Sequence, residues 1–250
     1  MKKQLSILFF ALLIMGCKEK AKETQEQADD TMAEAEAKVP EEEWEVIFDG
    51  ETFDGWHEYL KEGVSEHWKI EDGAMVFYPP KDRKEGESYN LVSEAEYTDF
   101  ELSLDWKISE AGNSGIFWAI KELPELGQPY QTGPEIQVLD NDKHPDGKNG
   151  TSHQAGALYD MVSPAKDVTK PIGEWNTCVI SINHKTNSGS VSLNGTPLVE
   201  FPVNDPEWSE MVSKSKFADW EHFAKYTTGR IGVQDHGDMV AFRNIKIKEL

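Results

Sequence analysis

Apolar and polar residues alternate one by one along most of the chain after Trp44. The clearest example is DFELSLDWKI, where every even position from Phe100 to Ile108 is apolar and the residues between them are polar or charged. Neighbouring side chains of a β-strand point to opposite faces, so this period of two predicts strands with one buried and one wetter face. Long helical periodicity is scarce, which argues against helical bundles and βαβ folds.

Turn signals divide these strands into hairpins. Glu71-Asp72-Gly73 separates two strands, Asn-Ser-Gly and Asn-Gly separate three strands between Trp175 and Phe201, and the C-terminal segment predicts a strand pair turned at Gly237-Asp238. Such a pattern predicts an all-β antiparallel sandwich or jelly roll, as a single domain over residues 44–250. Apolar residues at helical spacing in DPEWSEMVSKSKFADW predict one or two short helices inserted within 203–228.

The N-terminus has the composition of a bacterial export signal. Two lysines precede an apolar run, Leu5 to Met15, that is too short for an ordinary transmembrane helix. The end of the run, LIMGC, resembles a lipobox, so we expect residues 1–16 to be a signal peptide and Cys17 to carry lipid. The protein would then be anchored to a bacterial membrane outside the cytoplasm, in the periplasm or at the cell surface. The alternative is an ordinary signal peptide with an incidental cysteine.

Charge and cysteine content bear on the partners. Residues 17–43 are rich in Glu, Ala and Lys, as expected of an acidic flexible tether. A formal net charge of −21 argues against nucleic acid and anionic membrane surfaces, so we expect membrane contact through the lipid alone. Cys178, the only other cysteine, lies in the apolar run TCVISI and is expected to be a buried small residue.

Familiar catalytic motifs are missing from the sequence, which contains no Gly-rich phosphate loop, HExxH, paired CxxC or G-x-S-x-G. Phosphoryl transfer, zinc proteolysis and serine-hydrolase chemistry lose support accordingly. The turn DNDKHPD is rich in oxygen ligands like a calcium loop, but it lacks the glycine and distal glutamate of an EF-hand. We therefore predict no metal site and no cofactor, with a divalent cation as the alternative.

Polar residues on two predicted strands form a candidate sugar site. In PEIQVLD, Glu135 and Gln137 face away from the apolar Ile136 and Val138, and in GRIGVQDHG the outward residues are Gln234 and His236. Acids and amides bind hydroxyl groups, while aromatic rings stack on the apolar faces of sugars. The aromatic candidates for such stacking are Trp118 and Tyr159. The same alternation is also expected of any sheet with one solvated face.

Two further segments contain titratable candidates. His153 lies in a Gly- and Ser-containing loop, and His236 follows Asp235 directly. A histidine near a carboxylate can act as acid or base around neutral pH, although a surface histidine that caps a turn is a common alternative. Arg243 shares its parity with Ile245 and Ile247, so we expect its base to be partly buried and its guanidinium to pair with a carboxylate.

Together these segments resemble a known family. The strings AGNSGIF, PEIQVLDN, HQAGALYDM, GEWNTCVI, SKF and GRIGVQDHGDMVAFRNIKI are similar to the 3-keto-disaccharide hydrolase domain family, common in lipoproteins of the Bacteroidetes type. The similarity covers Trp44 to Leu250, with the motifs in the family's order. It implies a concanavalin-like jelly-roll β-sandwich and cleavage of glycosides oxidised to a ketone at the third sugar carbon, by hydrolysis or by 1,2-elimination.

The resemblance also implies roles for individual residues. Glu135 or His153 would be the base or acid, and His236 is a further candidate. The residues expected to hold the carbohydrate substrate are Gln137, Gln234, Asp235, Arg243, Lys107, Trp118 and Tyr159, with Lys107 near a developing oxyanion. Many relatives carry an arginine shortly after the NSGI element, whereas Ala119 and Ile120 stand here, which leaves contacts on that strand open.

Two other functions are compatible with the same fold. A non-catalytic carbohydrate-binding lipoprotein is one, since lectins share this architecture. An ordinary retaining endoglucanase is the other, and it would need two acids roughly 5 Å apart across the scissile bond. The E-x-D-x-x-E signature of sandwich glucanases is absent, and EIQVLD has a glutamine in its middle.

Overall fold

The computed structural model of the protein describes residues 43–84 and 86–250. This part of the chain forms one compact unit with thirteen β-strands and one α-helix, α1 (Glu207–Ser213). The predicted signal peptide, the lipidated Cys17 and nearly all of the predicted tether lie outside the described residues. No helix in the described ranges is long and apolar enough to cross a membrane.

The strands form two antiparallel sheets. In hydrogen-bonded order, the large sheet contains β11 (Thr196–Phe201), β10 (Ser188–Leu193), β9 (Asn176–Asn183), β6 (Phe100–Ile108), β13 (Val240–Glu249), β4 (Ala74–Phe77) and β3 (Trp68–Glu71), with β1 (Glu45–Val46) paired to β13. The small sheet contains β2 (Trp56–Glu58), β5 (Leu91–Tyr97), β12 (Gly229–Val233), β7 (Asn113–Ile120) and β8 (Glu135–Leu139).

The main apolar core draws on inward-facing residues of both sheets. The predicted alternation of β6 is confirmed, because Phe100, Leu102 and Leu104 are each about 1% exposed. From the small sheet, Ile136 and Val138 belong to the same core, as predicted from their parity. The face of the small sheet that points away from this core is therefore the face on which Glu135 and Gln137 lie.

Most predicted hairpins are confirmed. β3 pairs with β4 across a turn in which Asp72 and Gly73 have positive φ, and β10 pairs with β11 across Asn194 and Gly195, also at positive φ. Positive φ at both central residues is the geometry that Asn-Gly and Asp-Gly accommodate in a tight hairpin. The predicted C-terminal strand pair is wrong, because β12 belongs to the small sheet and β13 to the large one.

The insertion within 203–228 contains one short helix rather than two. Val212, Phe217, Phe223 and Ala224 form a separate apolar cluster, and Trp208 fastens the helix by donating its indole N–H to the carbonyl oxygen of Ala224 at 3.0 Å. The chain after α1 then runs along the outward face of the small sheet, where Lys216, Phe217 and Trp220 line a cleft.

Candidate functional site

A cleft of about 360 Å³ lies on the outward face of the small sheet. Its floor comes from β7, β8 and the chain just after β12, and its wall comes from the insertion. The lining residues are Asn113, Tyr130, Glu135, Gln137, Tyr159, Lys216, Phe217, Trp220, Gln234 and His236. Five of the predicted site residues therefore meet in one place: Glu135, Gln137, Tyr159, Gln234 and His236.

Glu135 is the only carboxylate among the lining residues of this cleft. It opens β8 opposite Phe117, and its side chain crosses the neighbouring Gly115, where a Cβ would stand 2.7 Å from the carboxyl carbon. Burial raises the pKa of Glu135 to about 8, and the charge of Lys216 opposes this only in part. Near neutral pH the group therefore holds a proton in most molecules, which suits a general acid.

Two amide oxygens in the cleft have no partner. The side-chain oxygens of Asn113 and Gln234 are buried and accept no hydrogen bond from any described residue. Gln137 differs, because its oxygen accepts the backbone N–H of Val138 at 3.1 Å and its NH₂ group is left to donate. Leaving a buried acceptor unpaired is costly, so these oxygens are placed for the hydroxyl groups of a ligand.

His236 lines the cleft. It lies in the loop that connects β12 of the small sheet to β13 of the large sheet. Its Nε2 lies 3.4 Å from the side-chain nitrogen of Asn113. Burial lowers the pKa of His236, while the nearby Asp238 carboxylate acts in the opposite direction. The imidazole is therefore neutral at neutral pH and can accept a proton.

His153 does not face the cleft with a free nitrogen. Its Nδ1 contacts Asp146 Oδ1 at 2.9 Å and its Nε2 contacts Asp160 Oδ1 at 3.0 Å. Both ring nitrogens are engaged by carboxylates and His153 is not among the lining residues of the cleft, so its predicted role as acid or base stays a prediction. Its ring instead fixes two carboxylates on either side, in edge contact with Tyr159.

Tyr159 joins this buried network to the cleft. Its hydroxyl donates to Asp146 Oδ2 at 2.8 Å, and the ammonium group of Lys216 lies 4.0 Å from its ring centroid. Burial raises the pKa of Tyr159 well above its ordinary value, so the phenol stays protonated. Burial also acts to raise the pKa of Asp146, but hydrogen bonds from its neighbours, Tyr159 among them, outweigh it and lower that pKa.

Aromatic rings form the wall of the cleft. Phe217 and Trp220 meet edge to face at 5.2 Å, and Trp220 approaches Tyr130 at 6.0 Å. Trp220 is 36% exposed, an unusual exposure for a large ring, and it borders a polar floor. Rings beside hydroxyl-binding amides are typical of carbohydrate sites.

Trp118 does not belong to the cleft. It is 4% exposed, lies in the main core and stacks on Phe201 at 6.0 Å. Position 118 has the inward parity of Ile116, whereas Phe117 has the outward parity, so the predicted sugar platform at Trp118 is wrong.

Lys107 and Arg243 are also far from the cleft in the fold, because they lie on the outward face of the large sheet. Both cations lie over the ring of Trp175, at 4.7 Å and 4.1 Å from its centroid. The Arg243 Nε contacts Asp105 Oδ2 at 3.3 Å, which confirms the predicted carboxylate partner. Arg243 is partly buried, as predicted, although the register shift between Arg243 and Lys246 puts it on the opposite face of β13 from Ile247. Neither side chain is placed to bind a substrate in the cleft.

Asp235 is committed to structural contacts. Its Oδ2 accepts the backbone N–H of Tyr89 at 2.7 Å and lies 3.1 Å from the Arg83 guanidinium. It borders a neighbouring recess rather than the cleft around Glu135. Asp235 therefore anchors the chain beside Gln234, and its predicted substrate contact is not found in the cleft.

Sequence reasoning missed five cleft residues as site residues: Asn113, Tyr130, Lys216, Phe217 and Trp220. Three of them belong to the insertion, which the helical spacing identified only as a packing element. The signal that could have found two was SKF, the short motif of residues 215–217. Lys216 takes the place in the cleft that had been expected of Lys107.

Three side chains near the cleft could hold a cation. Ligand atoms of His144, His236 and Asp238 lie within 4.8 Å of one another. However, His144 Nδ1 accepts the backbone N–H of Asp146 at 3.1 Å, and a neutral imidazole then carries its hydrogen on Nε2. Since His144 would have to give up this bond to become a ligand, the trio is not preorganised for a metal.

Two known proteins are similar to most of this chain. A 3-keto-disaccharide hydrolase from Bacteroides thetaiotaomicron is 36% identical over 229 residues, covering 82% of this chain and 78% of the relative. Among solved structures, a candidate glycosyl hydrolase from Parabacteroides distasonis matches with a TM-score of 0.74 and 31% identity, over 83% of this chain and 94% of that one.

A more distant structure shows the fold alone. A Bacillus subtilis protein with a galectin-like fold matches with a TM-score of 0.51 at 10% identity, over 83% of this chain and 98% of that one. The predicted all-β, concanavalin-like jelly-roll sandwich with a short helical insertion is thereby confirmed.

The family comparison covers nearly the whole described chain. Residues 43–248 match the 3-keto-alpha-glucoside-1,2-lyase-like domain. The protein is accordingly an enzyme of the glycosidase or lyase type that acts on carbohydrate. This chain belongs to the 3-keto-alpha-glucoside-1,2-lyase-like domain family.

Proposed function

We propose that the protein cleaves 3-keto-glycosides by elimination in the Glu135 cleft, with Glu135 as general acid and His236 as general base. The observation that carries the proposal is that both groups line one cleft with opposite proton occupancy at neutral pH. Burial keeps a proton on Glu135 and keeps one off His236. Titratable groups whose pKa values are pushed apart in this way identify the acid and the base of a reaction.

A ketone at the third sugar carbon makes this pair sufficient. It acidifies the hydrogen on the second carbon, which His236 removes, and the electron pair moves into an enolate. The enolate then forms the double bond between the first and second carbons and expels the oxygen of the leaving group. Glu135 supplies that oxygen with its proton, so the products are an unsaturated keto-sugar and an alcohol.

Addition of water to the double bond converts this elimination into a net hydrolysis. The hydroxyl joins the first carbon and the proton returns to the second carbon, from which His236 took it. Glu135 is regenerated because it takes the remaining proton of the water molecule, and His236 is regenerated because it returns its proton to the second carbon. One site thus supports both outcomes predicted from the sequence.

The composition of the cleft supports this reaction over ordinary glycoside hydrolysis. A retaining glycosidase needs two carboxyl groups roughly 5 Å apart, and Glu135 is the only Asp or Glu in the lining. The unpartnered oxygens of Asn113 and Gln234 suit the remaining hydroxyl groups of the oxidised ring, and Trp220 suits its apolar face.

The direct test compares a 3-keto-glucoside with its unoxidised parent. Purified protein is incubated with each, and release of the leaving alcohol is followed. Release from the keto-glucoside alone supports the proposal. Release from the parent supports an ordinary glycosidase, and binding of either without release supports a carbohydrate-binding protein.

We also propose that the protein is exported and lipid-anchored through Cys17. The support is the sequence LIMGC after an apolar run, which resembles a lipobox. In cells that process lipoproteins and are supplied with a labelled fatty acid, the wild-type protein should incorporate the label and Cys17→Ser should not. Absence of label from the wild type, or equal label on Cys17→Ser, would contradict the anchor.

A further inference from the structure

The proposed elimination places negative charge on the ketone oxygen when the proton leaves the second carbon. Preorganised donors or cations at such an oxygen usually account for a large part of the rate enhancement. We therefore expect the cleft to offer a donor or a cation that the acid and base do not use. The inference that follows rests on the proposed function, because it concerns the same reaction.

Lys216 is the only Lys or Arg that lines the cleft. The backbone around it is held in place, since its N–H donates to Asp160 Oδ2 at 2.6 Å. Its ammonium group lies over the ring of Tyr159 at 4.0 Å and 5.2 Å from the ring centroid of Phe217. Contact with ring faces positions a cation without neutralising it.

No carboxylate of the described residues forms an ion pair with the Lys216 ammonium group. The other lysine beside α1, Lys214, is different, because it pairs with Glu210 at 2.6 Å on the surface. The charge of Lys216 nevertheless reaches Glu135, whose pKa it lowers against the larger effect of burial. The Lys216 ammonium group is therefore close enough to the proposed acid, Glu135, to interact with it electrostatically.

Other donors in the cleft are weaker or already engaged. The Tyr159 hydroxyl donates to Asp146, so it has no hydrogen for a ligand. The amide NH₂ of Gln137 is available but neutral. Charge-assisted hydrogen bonds are roughly twice as strong as neutral ones, so the developing oxyanion favours Lys216.

We propose that Lys216 is a catalytic residue whose ammonium group binds the ketone oxygen and stabilises the enolate. His236 takes the proton from the second carbon, and the C–H electron pair forms the enolate whose oxygen accepts a hydrogen bond from Lys216. The enolate electron pair then forms the double bond between the first and second carbons. The bond to the leaving oxygen breaks, and Glu135 protonates that oxygen. Lys216 keeps all its protons throughout.

The test measures two events on methyl 3-keto-glucoside with the full-length protein. Exchange of the hydrogen on the second carbon in D₂O, followed by NMR, reports enolate formation, and methanol release reports cleavage. Lys216→Met should slow both by about 100-fold or more, with a much smaller change in KM. Lys216→Arg should recover part of the rate, and the matched surface variant Lys214→Met should behave like the wild type.

The outcomes separate the two proposals. If Lys216→Met, with an unchanged melting temperature, exchanges and cleaves within about threefold of the wild type, the role of Lys216 is overturned while the elimination stands. The same holds if Gln137→Leu loses exchange and Lys216→Met does not. If the wild type neither exchanges nor cleaves, the proposed function itself is overturned.

Discussion

Gly115 and Glu135 occupy adjacent strands so closely that a Cβ at position 115 would collide with the Glu135 carboxyl group. β7 and β8 are paired here, with Gly115 opposite Gln137 and Phe117 opposite Glu135. The missing side chain at position 115 makes the space that the carboxyl group needs to reach the cleft. Glycine in a strand interior often marks such a close approach.

Gly115→Ala should therefore displace Glu135 and abolish most of the turnover of a 3-keto-glucoside. We expect a loss of about 100-fold or more in kcat, as for other displaced catalytic groups. The neighbour that must move is the end of a side chain, so the melting temperature should fall only slightly. Gly127→Ala is the matched control, because nothing lies within 4 Å of a Cβ there. Full activity of Gly115→Ala would contradict the placement of Glu135.

The plot of kcat/KM against pH should be bell-shaped, with its alkaline limb at an unusually high pH for a carboxyl group. Turnover requires protonated Glu135, so it should fall as pH rises through about 8. It also requires neutral His236, so the acid limb should lie below the ordinary histidine value of 6.5. Glu135→Gln and His236→Gln should each remove one limb together with most of the activity. A rate that keeps rising above pH 8 would instead assign Glu135 as the base.

Leaving groups of different basicity should separate the roles of acid and base. A methyl glycoside needs a proton on the departing oxygen, whereas 4-nitrophenolate leaves without one. Glu135→Gln should therefore lose about 1000-fold or more on methyl 3-keto-glucoside and far less on the 4-nitrophenyl compound. His236→Gln should lose activity on both, because both need removal of the same hydrogen. Equal losses for Glu135→Gln on the two substrates would contradict its role as acid.

Stability should show the opposite trend to activity for Glu135→Gln. The folded protein binds the Glu135 proton up to a pH of about 8, whereas the unfolded chain releases it near 4.5. Glu135 therefore destabilises the fold progressively as pH rises from 4.5 to 8, and glutamine lacks this penalty. We expect the variant to melt at the same temperature as the wild type near pH 4 and higher at pH 8, by a free energy on the order of a few kcal/mol. Thermal unfolding at both pH values is the measurement.

The sequence predicted the large pattern of this fold because alternation and turn chemistry are local. The parity of Phe100 to Ile108 and the Asn-Gly turn at Asn194 both survive in the structure. Which strands share a sheet is not local, and this is why β12 and β13 were wrongly paired. The shift after Arg243 has the same origin, since one irregularity reverses every later side chain.

The candidate site was predictable in its floor but not in its wall. Parity placed Glu135, Gln137, Gln234 and His236 on one face, and the motif order of the family supported them. Parity alone could not say which of the two outward faces a residue occupies, so Lys107 was expected at the substrate site although it lies on the large sheet. Lys216 and Trp220 reach the cleft because the insertion packs through Phe217 against Tyr159, a tertiary contact that no strand pattern encodes.

The unpartnered side-chain oxygen of Gln234 should lower the stability of the free protein and tighten the binding of substrate. Gln234 is 5% exposed, and its buried oxygen accepts no hydrogen bond from the described residues. Gln234→Met keeps the length of the side chain and removes the unsatisfied group, which should stabilise the free protein by about 1 kcal/mol. A substrate hydroxyl then loses its acceptor, so KM for a 3-keto-glucoside should rise by about 10-fold or more while kcat changes less. Thermal unfolding and steady-state kinetics of the same preparation check the expected rise in stability and the expected rise in KM. A variant that is less stable and has an unchanged KM would show that this oxygen serves the fold rather than the substrate.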